Sequence, residues 1–315
     1  MAMSNYTGGF ADGVIIRGVP LTVSHPGRVF WVGNATAAAL PGHKGAHNAG
    51  PGTFDEPFST VAYAITQTAA NRGDIIFVKP GHNEDLTAAG TITSSVAGVA
   101  IIGLGTGALR PTFDWDAAAA TWSVTAANCS FYNLVFNASF LDVTAMFVIG
   151  AAAHGTTFAK CHFTDEATNL NAIDFIEITT GANNFTMQDC KMIGGDAQND
   201  SFITVGATDG FYISDSYFAS NVAQAAVVAL IEASDAVTNL VIRDCYFRSN
   251  IDGALFITST SAANSGLIAN CYFSSINGAG AVTEGTDMTG CHHFECYVAG
   301  EADAWGLVGG GTVYS

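Results

Sequence analysis

Phe131-Tyr-Asn-Leu134-Val-Phe136 decides the fold, because the same phrase returns six more times along the chain. The copies are Phe158-Ala-Lys-Cys161-His-Phe163, Met187-Gln-Asp-Cys190-Lys-Met192, Ile213-Ser-Asp-Ser216-Tyr-Phe218, Ile242-Arg-Asp-Cys245-Tyr-Phe247, Ile268-Ala-Asn-Cys271-Tyr-Phe273 and His293-Phe-Glu-Cys296-Tyr-Val298. The anchors, Leu134 through Cys296, are separated by 27, 29, 26, 29, 26 and 25 residues. A period of this length marks a solenoid, whose repeats bury their apolar faces only by stacking on one another.

Strand alternation puts each anchor and the residue two places later on one inward face. The apolar residue three before the anchor breaks that alternation, so a corner must lie between them. The corner falls at Asn133, Lys160, Asp189, Asp215, Asp244, Asn270 and Glu295. Asn and Asp tolerate the left-handed backbone such a corner needs. A second inward strand follows in each repeat, at Met146-Phe-Val-Ile149, Phe175-Ile-Glu-Ile178, Phe202-Ile-Thr-Val205, Val228-Ala-Leu-Ile231, Leu255-Phe-Ile257 and Ala281-Val282. The chain therefore reads as an all-β, single-stranded parallel β-helix. Proline gives an independent check: all seven lie at or before Pro111, and an interior ladder has no place for a residue that cannot donate.

The repeat sets the domain boundaries. Residues 58–304 form the β-helix, opened by an amphipathic capping helix over 58–70 with Val61, Ala64, Ile65 and Ala69 on one face. Ile75-Ile-Phe-Val78 starts the first strand, and a further coil follows around Val99-Ala-Ile-Ile102. Residues 1–57 form an extended N-terminal arm, with one strand at Arg28-Val-Phe-Trp-Val32, that lies along its own β-helix or along a partner. The tail, 305–315, closes or extends the far end.

Charge is uneven. Residues 1–111 carry six basic and six acidic side chains, whereas 112–315 carry four basic and 21 acidic, so the net −17 sits on the solenoid. Such a surface repels nucleic acid and anionic membranes. The longest apolar run, 225–231, is far short of a membrane span, and no signal peptide is evident, so synthesis in the cytoplasm is expected.

Cys161, Cys190, Cys245, Cys271 and Cys296 occupy one inward slot, where reduced thiols fill the core. Cys291, His292, His293 and Cys296 form the one metal-like group, and their spacing fits no zinc module. No nucleophile, phosphate-loop or dinucleotide signature is present, and no metal or cofactor is expected. Asp174 with Asp200, or Asp196 with Asp200, gives carboxylate pairs at glycosidase spacing, against a reading of all three as solvated surface. The position after the anchor faces outward, and four successive coils place Tyr217, Tyr246, Tyr272 and Tyr297 there. This stripe reads as lateral packing or an oligomer contact, with sugar stacking as the alternative.

Gly52-Thr-Phe-Asp-Glu-Pro-Phe-Ser-Thr-Val-Ala-Tyr-Ala-Ile followed by Gly73-Asp-Ile-Ile-Phe-Val-Lys-Pro-Gly-His is similar to the opening of pectin-lyase-like right-handed β-helices. Gly8-Gly-Phe-Ala-Asp-Gly-Val-Ile-Ile-Arg-Gly-Val-Pro and Pro26-Gly-Arg-Val-Phe-Trp-Val resemble β-helical virion proteins of tailed bacteriophages, especially capsid decoration or cement proteins. The Asn-Thr-Asp, Asp-Asp, Gly-His-Gly and Arg-Ile-Lys motifs of polygalacturonase-like hydrolases are absent. The resemblance implies a non-enzymatic protein on a capsid surface, with the major capsid protein as partner and a homotrimer as its assembly. Tyr6, Phe10, Ile15, Ile16, Arg17, Phe30 and Trp31 would then grip the shell. The alternative is a tailspike-like depolymerase, glycosidase or lyase, acting on host surface glycans.

Overall fold

A computed structural model describes residues 14–16, 19–21, 27–34, 46–167, 169–195, 201–220, 230–249, 256–275, 286–299 and 306–307. Each coil gives one strand to each of three parallel sheets: sheets A and B of ten strands and sheet C of eight. In one coil these are Ser130–Tyr132, Val135–Ala138 and Val143–Ile149. Registry is kept from coil to coil, with Phe131 level with Phe158 and Phe136 level with Phe163. The chain is a parallel β-helix, as the repeat requires.

The corner between sheets A and B has the expected left-handed backbone at every anchor phrase. From Asn133 to Glu295, φ runs between 49° and 57°, and even Lys160 and Glu295 adopt it. The ladder survives the bend. Asn133 N–H donates to Ala159 O at 3.0 Å and Asp215 N–H to Arg243 O at 3.2 Å, in the coil ahead. Tyr217 N–H then donates to Cys190 O in the coil behind, at 2.9 Å. A second left-handed column, unexpected from the phrase, lies six residues before the anchors at Asn128, Gly155, Asn184, Gly210, Asn239 and Gly290. The alternation of Asn and Gly has a steric cause: a Cβ on Gly155 would sit 2.5 Å from Asn128 Oδ1, and one on Gly210 2.6 Å from Asn184 Oδ1.

Stacked aromatic rings fill the interior. Phe131 lies on Phe158 at 4.7 Å, and Phe218, Phe247 and Phe273 form a continuous run at 4.8 and 5.1 Å. Each such ring contributes about 1.5–3 kcal/mol by burial. All seven cysteines are buried and free. In the anchor slot the thiol donates to the carbonyl two residues back, as in Cys245 to Arg243 O at 3.1 Å and Cys271 to Ala269 O at 3.3 Å. Ser216 makes the same bond to Ser214 O at 2.8 Å, so the slot selects a small side chain with a weak donor.

The capping helix is shorter than expected, Val61–Thr66, and Ala69 lies outside it. Hydroxyls end it: Thr66 and Thr68 donate to the Tyr63 and Ile65 carbonyls, at 2.7 and 2.6 Å, in place of further helical turns. Val61, Ala64 and Ile65 close the first coil. Glu84, in the slot where the next coil has Phe113, accepts from Val61 N–H at 2.8 Å and contacts His82 Nε2 at 3.2 Å. The fully buried Asp74 accepts from Arg28 N–H, Ala69 N–H and the Arg72 guanidinium, all within 2.7 Å. Burial pushes its carboxyl up, but these bonds prevail and hold it below the ordinary range.

Val29–Val32 runs parallel to Ile75–Val78 as the first strand of sheet A, so this part of the N-terminal segment lies along its own β-helix. At the far end Gly306–Leu307 pairs antiparallel with Tyr297–Ala299. Two strands of sheet C start later than the sequence suggested, at Ile231–Ala233 and Ile257–Ser259, and the next described one is Thr286–Asp287. Val228, Leu255, Ala281 and Val282 lie outside the described residues.

Two outcomes test this construction. Asn133→Ala loses a left-handed residue and two bonds, to Gly103 O at 2.8 Å and Gly105 O at 3.1 Å. It should cost about 2–4 kcal/mol in urea unfolding, with Asn133→Gly recovering about 1 kcal/mol of that. In the native protein no thiol should react with a disulfide probe at neutral pH, since all seven are buried; burial also pushes Cys129 up to about 11, and the hydrogen bond with Cys245, helped by burial, pushes Cys271 up to about 12. All seven should react on unfolding.

Candidate functional site: a tyrosine and carboxylate groove

The corner that bends the chain also shapes its surface. Residues just after it point outward from sheet B, and register stacks Val135, His162, Lys191, Tyr217, Tyr246, Tyr272 and Tyr297 in one column. The left-handed residues form a second column beside it. Between them runs a groove of about 720 Å³ lined by Asp215, Tyr217, Asp244, Tyr246, Asn270, Tyr272, Glu295 and Tyr297. A second groove of about 430 Å³, lined by Tyr132, Lys160, Gln188 and Asp189, meets the first at Asp215. Six coil steps from Tyr132 to Tyr297 make a run of roughly 29 Å at the usual strand spacing.

The tyrosines form two stacked pairs. Tyr217 lies on Tyr246 at 5.5 Å and 10°, and Tyr272 on Tyr297 at 5.3 Å and 17°. Tyr246 and Tyr272 are level in register, yet their rings do not stack, so the ladder breaks at the middle of the groove. Within each pair the inner faces are covered, leaving ring edges and phenol oxygens toward solvent. Tyr246, Tyr272 and Tyr297 are 39%, 51% and 41% exposed, enough to contact a ligand without moving.

Opposite them the carboxylates differ in setting. Asp244 pairs with Arg243 Nη1 at 3.2 Å and accepts from Asn270 Nδ2 at 3.2 Å, which fixes its direction. Arg243 is held in turn by Tyr212 Oη, at 2.7 Å. Asp215 and Glu295 line the same groove one coil below and two above. Farther toward the N-terminus the corner becomes basic: Lys160 is paired with Asp189, Arg110 reaches the Leu134 and Lys160 carbonyls, and His162 and Lys191 follow in the outward column. Burial, with Arg110 and Lys191 nearby, pushes His162 down to about 4.

The structure brings Tyr217, Tyr246, Tyr272 and Tyr297 together as the sequence placed them. Of the residues expected to grip a shell, Phe30 instead points into the core against Phe58, at 5.9 Å, because it belongs to the first strand of sheet A. Trp31 packs over Phe77 and against Phe54, each at 5.0 Å, beside buried Lys79. Burial, opposed by Asp55, pushes that amine down to about 8. Ile15 and Ile16 lie in a hairpin strand, Val14–Ile16, paired with Val19–Leu21, and Tyr6, Phe10 and Arg17 lie outside the described residues. Asp174 is on sheet C, level with Ser201 and away from the groove; Asp196 and Asp200 are outside the described residues. Cys291 and Cys296 are buried and His293 bonds Thr286 Oγ1 at 2.7 Å; among the described residues no three His, Cys, Asp or Glu converge to hold a metal. Sequence reasoning saw Asp215, Asp244 and Glu295 only as corner residues. The signal for more was present, since the outward tyrosines stand two residues after them in the same coils.

Two solved structures share this architecture. A pectin methylesterase from Aspergillus niger is similar over 86% of this chain and 89% of its own, at 15% identity and a TM-score of 0.51. The chain shares the parallel β-helix fold with it. A rhamnogalacturonan lyase is similar over 80% of this chain and 71% of its own, at 13% identity and a TM-score of 0.47. No protein-family model matches the sequence, and no curated protein matches it. The expectation that the chain is not an enzyme is corrected here, because the methylesterase it is similar to is an enzyme. Missing polygalacturonase motifs speak only to polygalacturonases. The likeness itself shows the fold, and the chemistry rests on the groove.

His162 supplies a test of the groove's electrostatics. With its folded value held at about 4 against an ordinary 6.5, the unfolded chain binds that proton more readily between those values. The stability it contributes is therefore lost as pH falls through that window. His162→Gln should leave stability near neutral pH within about 1 kcal/mol and shallow its decline toward about pH 4, read from urea midpoints.

Proposed function

We propose that the groove binds a polysaccharide and that the protein is a tailspike-like depolymerase of the glycosidase type. One observation carries this reading: Asp215 and Asp244 come from consecutive coils of a groove walled by half-exposed tyrosines. Consecutive strands stand about 4.8 Å apart, close to the ~5–5.5 Å between the carboxyl groups of retaining glycosidases. Asp244, oriented by Arg243 and Asn270, attacks the anomeric carbon. Asp215 gives its proton to the departing glycosidic oxygen, then takes one from the water that releases the glycosyl group. The tyrosine edges and hydroxyls hold sugars on either side.

Roughly the first 60 residues, through their likeness to virion proteins, favour placement on a bacteriophage particle, with the major capsid protein as partner and a trimer as the assembly. A capsid-decorating role rests on that likeness alone, whereas the groove favours glycan chemistry.

The purified protein, incubated with a panel of bacterial surface polysaccharides, should release reducing ends from at least one. Asp215→Asn and Asp244→Asn should each lower that rate more than about 100-fold with unchanged circular dichroism. Full activity in both variants, or no release from any polymer, overturns the assignment.

A further inference from the structure

The groove's charge names the class of glycan it accepts. Resting on the reading above, we infer that its ligand is a polysaccharide without carboxylate or sulfate groups, a neutral hexose or N-acetylhexosamine polymer. Three carboxylates, Asp215, Asp244 and Glu295, line the tyrosine section, and no lysine or arginine lines it. Of the cations beside it, Arg243 is committed to Asp244 and Tyr212, while Arg248, two residues beyond Tyr246 on the same outward face, and Lys191, level with Tyr217, stand at its margins. A uronate on each sugar would meet these carboxylates at coil spacing, with Arg243 already paired and Arg248 and Lys191 only at the margins, on a solenoid whose 112–315 span already carries 21 acidic against four basic residues. Neutral sugars meet no such penalty. Their hydroxyls donate to Asp215, Asp244 and Glu295 and exchange bonds with the phenols, while apolar ring faces pack on the tyrosine edges.

Binding measured by calorimetry on the full chain separates the cases. The probes are neutral hexaoses of glucose, galactose, mannose and N-acetylglucosamine, together with hexagalacturonate, each at about 20 and 300 mM NaCl, a range over which screening length shrinks several-fold. At least one neutral hexaose should bind with little salt dependence. Hexagalacturonate should bind at least tenfold more weakly at low salt, and the gap should narrow at high salt. The combined variant Asp215→Asn, Asp244→Asn, Glu295→Gln, checked for folding by its melting curve, should shrink that discrimination several-fold. Hexagalacturonate binding as tightly as the best neutral ligand, and lost on Tyr272→Ala, overturns the class while leaving the groove as the site. Discrimination unchanged in the triple variant also overturns it. Binding of none of the five probes overturns both the class and the site.

Discussion

Everything in this molecule depends on a backbone that turns a sharp corner without dropping a hydrogen bond. At Asn133, Lys160, Asp189, Asp215, Asp244 and Asn270 the left-handed conformation lets the corner amide reach forward one coil, while the amide two residues on reaches back, as it also does after Glu295. A right-handed residue there would aim one of those amides away from the ladder and leave a buried polar group unpaired, at about 1–3 kcal/mol. Lys160 and Glu295 show the strength of the constraint, since neither favours this conformation and both accept it. The same bend places anchors in tight interior slots, which explains why cysteine or Ser216 follows six of the corners, and turns the next residue outward.

The opening end solves a different problem. A first coil has no coil behind it, so its strands would be free to pair elsewhere. Here Val29–Val32 takes the sheet A edge, and a helix of only six residues covers the interior. So short a helix is not stable alone. Buried acids hold it at both ends: Glu84 at its first amide, and Asp74 joining the chain after it to Arg28 and Arg72.

Most of the solid was legible in the sequence because one slot repeats: Leu134, Cys161, Cys190, Ser216, Cys245, Cys271 and Cys296 fix period, corner and inward face together. The second left-handed column was equally present, in Asn128, Gly155, Asn184 and Gly210, but Asn and Gly are common in loops and only stacking gives them meaning. The later starts of the sheet C strands at Ile231 and Ile257 escaped notice because apolar residues ahead of them mimic a strand. Phe30 looked available because a lone strand in a proline-rich segment has no visible neighbour; its partner, Ile76, lies 46 residues on. The groove was half legible. The tyrosines announce themselves by position, whereas the carboxylates opposite were already explained by the corner, and a residue with one sufficient reason to exist hides a second.

That double duty has a consequence for how such a surface changes over time. Each coil carries one rung of wall and one rung of floor, and meets its neighbours chiefly through its backbone and its interior slot, with the stacked tyrosines and the Asn270–Asp244 bond as outward links. Duplicating or losing a coil outside the Asp215 and Asp244 pair would therefore lengthen or shorten the trough by one step, about 4.8 Å, without disturbing that pair. Exchanging a single outward side chain would alter one position along the trough and leave the frame untouched. A lineage built this way can track a changing polymer rung by rung.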